Sequence, residues 1–298
     1  MSRWFKIGLA AAITIPLAIL GISSYLAYSM TRVVRVAIDD NPTNQGLNCE
    51  DVSFPAAIDG LMIQAWYIMA KDSNRCIIMT HGAEQHRADP HIKMLEIARG
   101  LVEHGYSILM LDLRGHGKSE GKTMSGGYYE RRDIRGAIAY IKGRGILPQH
   151  IGALGFSIGA VASLLAAADD EDLAAVVTDS CCADMKALIE NRIAKQNHLP
   201  QFIIPITLSI ARKAYGIDFN DVRPLSAVHK IAPRPLFFIH GEFDETVPVE
   251  HALRLYHSSN NPNNRLWIVP EAGHVGSYEA QPEEYITKVA NFFDEALK

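Results

Sequence analysis

The stretch "GFSIG" at residues 155–159 holds one serine between two glycines, directly after the apolar run "IGAL". The pattern predicts a strand that ends at Phe156 and a helix, rich in alanine and leucine, that begins directly after Ser157. A nucleophilic serine on such a sharp turn needs close neighbours without side chains, which Gly155 and Gly159 provide. An ordinary glycine-serine turn is the alternative, because this spacing arises by chance in roughly one chain in ten.

Short apolar runs alternate with segments of helical periodicity over most of the chain. Each run is apolar throughout, as expected of a strand buried on both faces of a sheet. Strand followed by helix, repeated, predicts an α/β fold with a mostly parallel sheet and helices on both faces. The predicted strands are residues 76–80, 106–112, 151–156, 173–179, 235–240 and 265–270. Apolar residues recur at helical spacing within residues 94–102, 134–141 and 285–296.

Two antiparallel edge strands are predicted to open the folded domain. Residues 52–58 and 61–69 have strand character. Asp59 and Gly60 lie between them and are typical of a tight hairpin turn. The opening hairpin is therefore expected at the edge of the parallel sheet.

The N-terminus, residues 1–30, is predicted to be a transmembrane anchor. No charged residue occurs from Ile7 to Met30, and about 20 apolar residues are enough for an α-helix to cross the hydrocarbon layer. Pro16 would kink this helix without preventing its insertion. A cleaved signal peptide is the alternative, but the apolar stretch is longer than a typical signal core and no clear cleavage site follows it.

Positive charges flank the predicted anchor on both sides. Arg3, Lys6 and the amino terminus precede the apolar stretch, whereas Arg32 and Arg35 follow it. This near balance slightly favours an N-terminus inside the cell and a domain on the extracytoplasmic side of the membrane. The lipid bilayer is the expected partner of the helix.

Three further boundaries follow from composition. Residues 31–50 are polar and turn-rich, as expected of a linker that lifts a domain off the bilayer. The folded domain is predicted to span residues 51–298. Within it, residues 183–222 hold two or three helical pieces without a strand between them. An insertion of this kind is predicted to cap the carboxyl ends of the sheet, where ligands of open α/β folds bind.

Charge and cysteine usage exclude several classes of partner. The formal net charge of -4 gives no basic excess that would attract phosphate backbones, so nucleic acid is not expected as a partner. Two of the four cysteines, Cys181 and Cys182, are adjacent, and the set matches neither a disulfide framework nor a zinc site. A metal site of His86, Asp89 and His91 is not favoured, since three polar residues in a loop rarely bind a metal. Nothing in the composition indicates an oligomeric state.

A serine hydroxyl becomes nucleophilic only beside a base that a third group orients. His274 is the candidate base, because it follows the last predicted strand on a loop at the edge where Ser157 is expected. Asp244 is the candidate acid, because it lies on the turn after another strand and gives the order Ser, Asp, His. Asp179, at the end of the preceding strand, is the rival acid. Neighbouring carboxylates are Glu242 and Glu245; histidines expected on the surface are His104, His150, His198, His251 and His257.

Two backbone N–H groups are expected to bind a developing oxyanion. One belongs to Ile158, at the start of the helix after the candidate nucleophile, and the other to Ala83 in the loop "THGAEQHR" after the first parallel strand. Gly82 allows this loop to approach a substrate closely, whereas His81 is expected to brace the loop and not to transfer protons.

Taken together, these stretches resemble the α/β-hydrolase superfamily, in particular membrane-anchored bacterial hydrolases of the serine-aminopeptidase-like or prolyl-oligopeptidase-like type. The matching stretches, in the family order, are "THGA", "LDLRGHGKSEGK", "GFSIGA", "HGEFDETVP" and "AGH". The resemblance implies an α/β-hydrolase fold with a cap over residues 183–222. It also implies a catalytic triad of Ser157, Asp244 and His274, and an oxyanion hole formed by Ala83 and Ile158.

The expected function is that of a membrane-anchored serine hydrolase, carboxylesterase-like, that cleaves hydrophobic or acyl esters through an acyl-enzyme. No cofactor and no metal are expected. Because the imidazole of His274 must be neutral to accept a proton, a pH profile of activity is expected to rise through roughly pH 6 to 7. The alternatives are an aminopeptidase or thioesterase of the same fold, or a non-catalytic membrane-tethered binding protein.

Overall fold

An eight-stranded sheet organises the residues that the computed structural model describes, which are 2–192 and 199–297. The spatial order of the strands is β1-β2-β4-β3-β5-β6-β7-β8. β1 pairs antiparallel with β2, and β2 antiparallel with β4, whereas all the other neighbours are parallel. In chain order the strands are β1 (Cys49–Pro55), β2 (Met62–Ile68), β3 (Cys76–Thr80), β4 (Ser107–Leu111), β5 (Ile151–Phe156), β6 (Ala175–Asp179), β7 (Leu236–Gly241) and β8 (Arg265–Val269).

All six apolar runs form strands, which confirms the predicted α/β fold with its mostly parallel sheet. β3 and β5 have the predicted bounds, and the other four differ from theirs by one or two residues at one or both ends. Every residue of β3 to β7 is buried. A strand covered on both faces has no solvent-facing positions, and for this reason it reads as a continuous apolar run.

The opening hairpin is present, but its connection differs from the predicted tight turn at Asp59 and Gly60. β1 ends at Pro55 and β2 begins only at Met62. The N–H of Ala56 donates to the carbonyl of Leu61 at 2.8 Å and closes a longer loop. Two residues of this loop, Ile58 and Gly60, adopt positive φ angles of 77° and 69°.

Helices cover both faces of the sheet. Residues alternate along each strand, so that Ile78 of β3 packs on one face and Met79 on the other. The helices are α1 (Arg3–Thr31), α2 (Met94–Glu103), α3 (Glu130–Gly143), α4 (Ile158–Asp169), α5 (Met185–Asn191), α6 (Ile203–Tyr215), α7 (Pro224–Ala227), α8 (Glu250–Ser259), α9 (Ser277–Ala280) and α10 (Pro282–Ala296). α2 and α10 contribute to one apolar core, and α3, α4 and α8 contribute to the other.

The insertion expected at residues 183–222 is helical where the structure describes it. It contains α5 and α6, while residues 193–198, including His198, lie outside the described residues. The N–H of Met185 donates to the carbonyl of Val222 at 3.0 Å, so the two ends of the insertion meet at its base. The insertion follows β6 directly and therefore lies at the carboxyl edge of the sheet.

α1 is long and apolar enough to cross a membrane, with a mean hydropathy of 2.0 over its most apolar window. Its first part is exposed, but its second part packs against α6. Ser23, Ala27 and Thr31 are each 0% exposed on that side. The N-terminal helix is thus part of the packed structure and does not stand apart from the domain.

The segment expected to be a linker, residues 31–50, also lies against the domain. The guanidinium of Arg35 donates to four backbone carbonyls between residues 116 and 121, at 2.7 to 3.2 Å. Arg32 forms a β-bridge with Thr123, and β1 already begins at Cys49. This arrangement differs from the predicted linker that lifts the domain off the bilayer, because Arg32 and Arg35 hold the segment against the domain.

Candidate active site

Ser157 lies at the junction of β5 and α4 in a strained backbone conformation, with φ 51° and ψ -114°. Its N–H donates to the carbonyl of Asp179 at 2.9 Å, which fixes the turn to the neighbouring strand. A Cβ built on Gly155 would lie 2.5 Å from the carbonyl oxygen of Gly159. A Cβ on Gly159 would lie 2.6 Å from the carbonyl oxygen of His81. Both glycines are therefore required by close backbone approach and not only by the turn itself.

His274 approaches Ser157 from the loop after β8. Its Nε2 lies 3.0 Å from Oγ of Ser157, and its Nδ1 lies 2.8 Å from Oδ2 of Asp244. Because a carboxylate only accepts hydrogen bonds, Nδ1 carries the proton and Nε2 is left to accept the serine hydroxyl proton. The structure thus brings the predicted serine, histidine and aspartate into one hydrogen-bonded chain.

Asp244 is held in an environment that keeps it ionised. The backbone N–H groups of Thr246 and Val247 donate to its Oδ1 at 3.0 and 2.8 Å, and Nε2 of His240 lies 3.3 Å from its Oδ2. Burial alone would raise the pKa of this carboxyl, but the hydrogen bonds from His240 and His274 outweigh burial and hold the pKa well below its usual range. A buried anion is therefore available to orient the imidazole.

Asp179, the rival acid, has a different set of partners. Its Oδ1 accepts hydrogen bonds from the hydroxyls of Ser180 and Ser277, at 3.2 and 3.1 Å. Ser180 Oγ in turn accepts from the N–H of Val275 at 3.0 Å. Burial raises the pKa of Asp179 to about 6, against the opposing effect of His240 and the two serines. Asp179 thus fastens the loop that carries His274, without binding its ring in the way that Asp244 does.

The other acids and histidines weighed in the sequence lie elsewhere. Glu242 and Glu245 are exposed. His104 and His257 are exposed as expected, but the surface prediction for His251 is wrong. His251 is buried, and its Nδ1 accepts a hydrogen bond from the N–H of Ala183, at the start of the helical insertion, at 3.1 Å.

The two N–H groups proposed for an oxyanion lie on either side of Ser157. Ile158 is the first residue of α4, and Ala83 follows Gly82 in the loop after β3. A Cβ built on Gly82 would lie 3.6 Å from the Cβ of Ser157, so this loop passes directly beside the serine. Within the described residues, neither N–H donates to a backbone or side-chain acceptor, which leaves both available for a ligand.

Two buried histidines brace the loop that carries Ala83. His81 donates from Nδ1 to the carbonyl of Gly82 at 2.6 Å and accepts the N–H of Leu113 on Nε2 at 3.0 Å. Burial, together with the nearby His116, lowers the pKa of His81 well below its usual value. His116 accepts the N–H of Glu84 at 3.2 Å. The role of His116 was not predicted, although it belongs to the quoted stretch "LDLRGHGKSEGK".

The polar loop after Ala83 uses its side chains to shape its own backbone. His86 Nδ1 accepts the N–H of Ala88 at 3.1 Å, and Asp89 Oδ1 accepts the N–H of His91 at 2.9 Å. Across residues 2–192 and 199–297, no group of three or more histidine, cysteine or acidic side chains is placed to hold a metal ion.

The sheet, the strained serine turn and the hydrogen-bonded histidine define an α/β hydrolase. An esterase from Pyrococcus furiosus is similar in structure, with a TM-score of 0.75 and 26% identity, over 90% of this chain and 99% of that one. The protein YqkD of Bacillus subtilis is 29% identical over 240 residues, which cover 79% of this chain and 76% of the relative. YfhR of Escherichia coli K12 is 26% identical over 259 residues, with coverages of 84% and 82%.

The X-Pro dipeptidyl-peptidase (S15) family matches residues 61–213, just over half of the chain. The chain belongs to this family and, with it, to the α/β-hydrolase superfamily. The matched region runs from β2 into α6 and includes Ser157 and the loop that carries Ala83, whereas Asp244 and His274 lie outside it. The protein is therefore a hydrolase by fold and by family.

Gly159→Ala is expected to lower the midpoint of thermal unfolding. The added methyl group would lie 2.6 Å from the carbonyl of His81 and the hydroxyl of Thr80, and overpacking of this kind costs about 1–3 kcal/mol. The matched control is Gly143→Ala at the end of α3, where no atom lies within 4 Å of the new methyl group. Thermal unfolding followed by circular dichroism should give the control a midpoint equal to or higher than that of the wild type. A wild-type midpoint for Gly159→Ala would contradict the close contact between Gly159 and the end of β3.

Proposed function

We propose that the protein is a serine hydrolase that cleaves carboxylic esters through an acyl-enzyme. The observation that carries the proposal is the hydrogen-bonded chain from Ser157 through His274 to Asp244, with distances of 3.0 and 2.8 Å. Nucleophile, base and orienting acid within hydrogen-bond reach are the requirement for serine catalysis. The strained turn, which exposes the serine side chain at the rim of the sheet, supports the same role.

The proposed reaction has two halves. In the first, Oγ of Ser157 attacks the ester carbonyl carbon while its proton moves to Nε2 of His274. The tetrahedral intermediate collapses, the alkoxide takes that proton from the imidazolium, and the alcohol leaves. In the second half, water gives a proton to the same nitrogen, attacks the acyl carbon, and releases the acid as the serine recovers its proton.

Two backbone N–H groups and one carboxylate are proposed to stabilise the charges that develop in this reaction. The negative oxygen of each tetrahedral intermediate is proposed to accept hydrogen bonds from the N–H groups of Ala83 and Ile158. The imidazolium of His274 is stabilised by Asp244, whose low pKa keeps it anionic throughout. No step in this sequence uses a cofactor.

Ester substrates are favoured over amides for two reasons. An alkoxide leaves more readily than an amine, so the same machinery cleaves esters with less assistance. The similarity to the Pyrococcus furiosus esterase covers nearly the whole of both chains. The family description, X-Pro dipeptidyl-peptidase, supports aminopeptidase activity as the second candidate function, and thioester cleavage is the third.

We also propose that α1 is a retained membrane anchor and that the domain lies on the extracytoplasmic side, as the flanking charges indicate. Retention is supported by packing: Ala27 is fully buried in the domain core, and the carbonyl of Thr31 accepts the N–H of Met124 at 2.9 Å. Cleavage after such a helix would remove part of the folded domain, whereas a signal peptide normally leaves the mature protein intact.

A fluorophosphonate probe tests whether Ser157 is a reactive nucleophile. The wild type should be labelled and should hydrolyse p-nitrophenyl butyrate faster than matched acyl thioesters, aminoacyl amides or X-Pro anilides. Ser157→Ala should lose the label and nearly all turnover, because no other group in the proposed chain can form the acyl-enzyme. Labelling that survives the substitution would assign the nucleophile to another residue, and a wild type that is neither labelled nor active would support a binding protein.

Asp244→Asn and Asp179→Asn form a matched pair that separates the two carboxyl groups. Asp244→Asn should lower kcat by about 10⁴-fold, because an amide no longer favours the imidazole tautomer with its proton on Nδ1. Asp179→Asn keeps an acceptor for the two serine hydroxyls, so the loss should stay within about tenfold. Steady-state kinetics on one p-nitrophenyl ester measures kcat for both variants. A larger loss of kcat for Asp179→Asn than for Asp244→Asn would make Asp179 the acid of the triad.

A further inference from the structure

Exposed aromatic residues lie near both ends of α1. Trp4 is 81% exposed near one end of the helix, and Tyr25 and Tyr28 are 68% and 45% exposed near the other. Tryptophan and tyrosine prefer the interface between hydrocarbon and water. From Trp4 to Tyr25 the helix rises by about 31 Å at 1.5 Å per residue, which equals the thickness of the hydrocarbon layer. With α1 spanning the bilayer, as proposed above, the bilayer surface on the domain side would lie near Tyr25.

The contact between α1 and α6 lies at this same level. Ser23, Ala27 and Thr31 are spaced by four residues along one side of α1, and each is 0% exposed. On α6, the helix that α1 contacts, Thr207 and Ala211 are also spaced by four residues and are 0% exposed. Small residues at this spacing let two helix backbones approach closely. The buried part of α1 overlaps the level of Tyr25, so α6 would lie near the surface of a bilayer that α1 spans.

The outward side of α6 has the composition of an interfacial helix. Phe202, directly before the helix, is 55% exposed, and Pro205 on the first turn is also exposed. Arg212 and Lys213 are exposed in the last turn, with Arg212 paired to Asp218 at 3.4 Å. In an interfacial helix, exposed apolar side chains contact the acyl chains and exposed basic side chains contact the anionic headgroups. The exposed side of α6 carries both kinds of residue.

We propose that this outward side of α6, led by Phe202, docks onto the same bilayer that α1 spans, so that the site takes acyl esters resident in that membrane. The substrate part rests on the proposed function. The cap joins β6 immediately after Asp179 and Ser180, the residues that hold the Ser157 turn and the His274 loop. The segment that leads to α6 therefore begins at the rim of the sheet that carries Ser157 and the His274 loop.

Depth-dependent quenching tests the docking without any turnover. In a Cys49→Ser background, Phe202→Cys is labelled with an environment-sensitive fluorophore and the full chain is placed in phosphatidylcholine–phosphatidylglycerol vesicles that contain doxyl lipids. Leu147→Cys is the matched control, since Leu147 is also an apolar residue 55% exposed, after α3. The label at 202 should be strongly quenched and blue-shifted, whereas the label at 147 should be neither.

Equal, weak quenching at both positions would overturn the docking. A signal at 202 that varies with the ratio of protein to lipid would also overturn it, because a second copy of the chain would then cover α6. These outcomes do not depend on whether the protein is an esterase.

A kinetic comparison tests the substrate part. Phe202→Ser should lower the rate on a long-chain fluorogenic ester in vesicles about tenfold and leave soluble p-nitrophenyl acetate unchanged, whereas Leu147→Ser should change neither. An equal effect of Phe202→Ser on both esters, or no effect on either, would contradict membrane-resident substrates. If the wild type cleaves neither ester, the proposed function fails while the quenching result stands.

Discussion

The backbone turn at Ser157 is the constraint on which the site depends. A residue with a Cβ at a φ of 51° stores strain of about 1–3 kcal/mol, which the surrounding structure must offset. Here β6 offsets the strain, because the backbone carbonyl of Asp179 accepts a hydrogen bond from the N–H of Ser157. Gly155 and Gly159 leave room for the strand and the helix to meet. The nucleophile is therefore positioned by the rigid junction of a central strand and a buried helix, and not by a mobile loop.

Two buried carboxyl groups near His274 differ in pKa because their surroundings differ. Asp244 receives two backbone N–H groups and two histidines, so its anion is strongly favoured. Asp179 receives two neutral hydroxyls, and burial raises its pKa to about 6. Environments that shift the pKa values of two acids in opposite directions give the two acids different roles. One acid supports the charge on the imidazole, and the other holds the loop on which the imidazole is carried.

The sequence predicted the parts of the structure that depend on local pattern. The strands β3 to β7 could be bounded to within two residues because they are buried on both faces. The candidate site residues could be proposed because each follows a strand at one edge of the sheet. Contacts between distant segments could not be predicted in this way. The packing of Ala27 under the cap, the clamp formed by Arg35 and the burial of His251 all depend on partners far away in sequence, and none of them leaves a local periodic signal.

The central claim is that Ser157 becomes acylated during turnover. Mass spectrometry of protein quenched in acid within the first turnover of p-nitrophenyl butyrate measures this directly. An early burst of p-nitrophenol, with one butyryl group on the peptide that contains Ser157, is the predicted result. Steady release without a covalent adduct, or an adduct on a different residue, would contradict the claim.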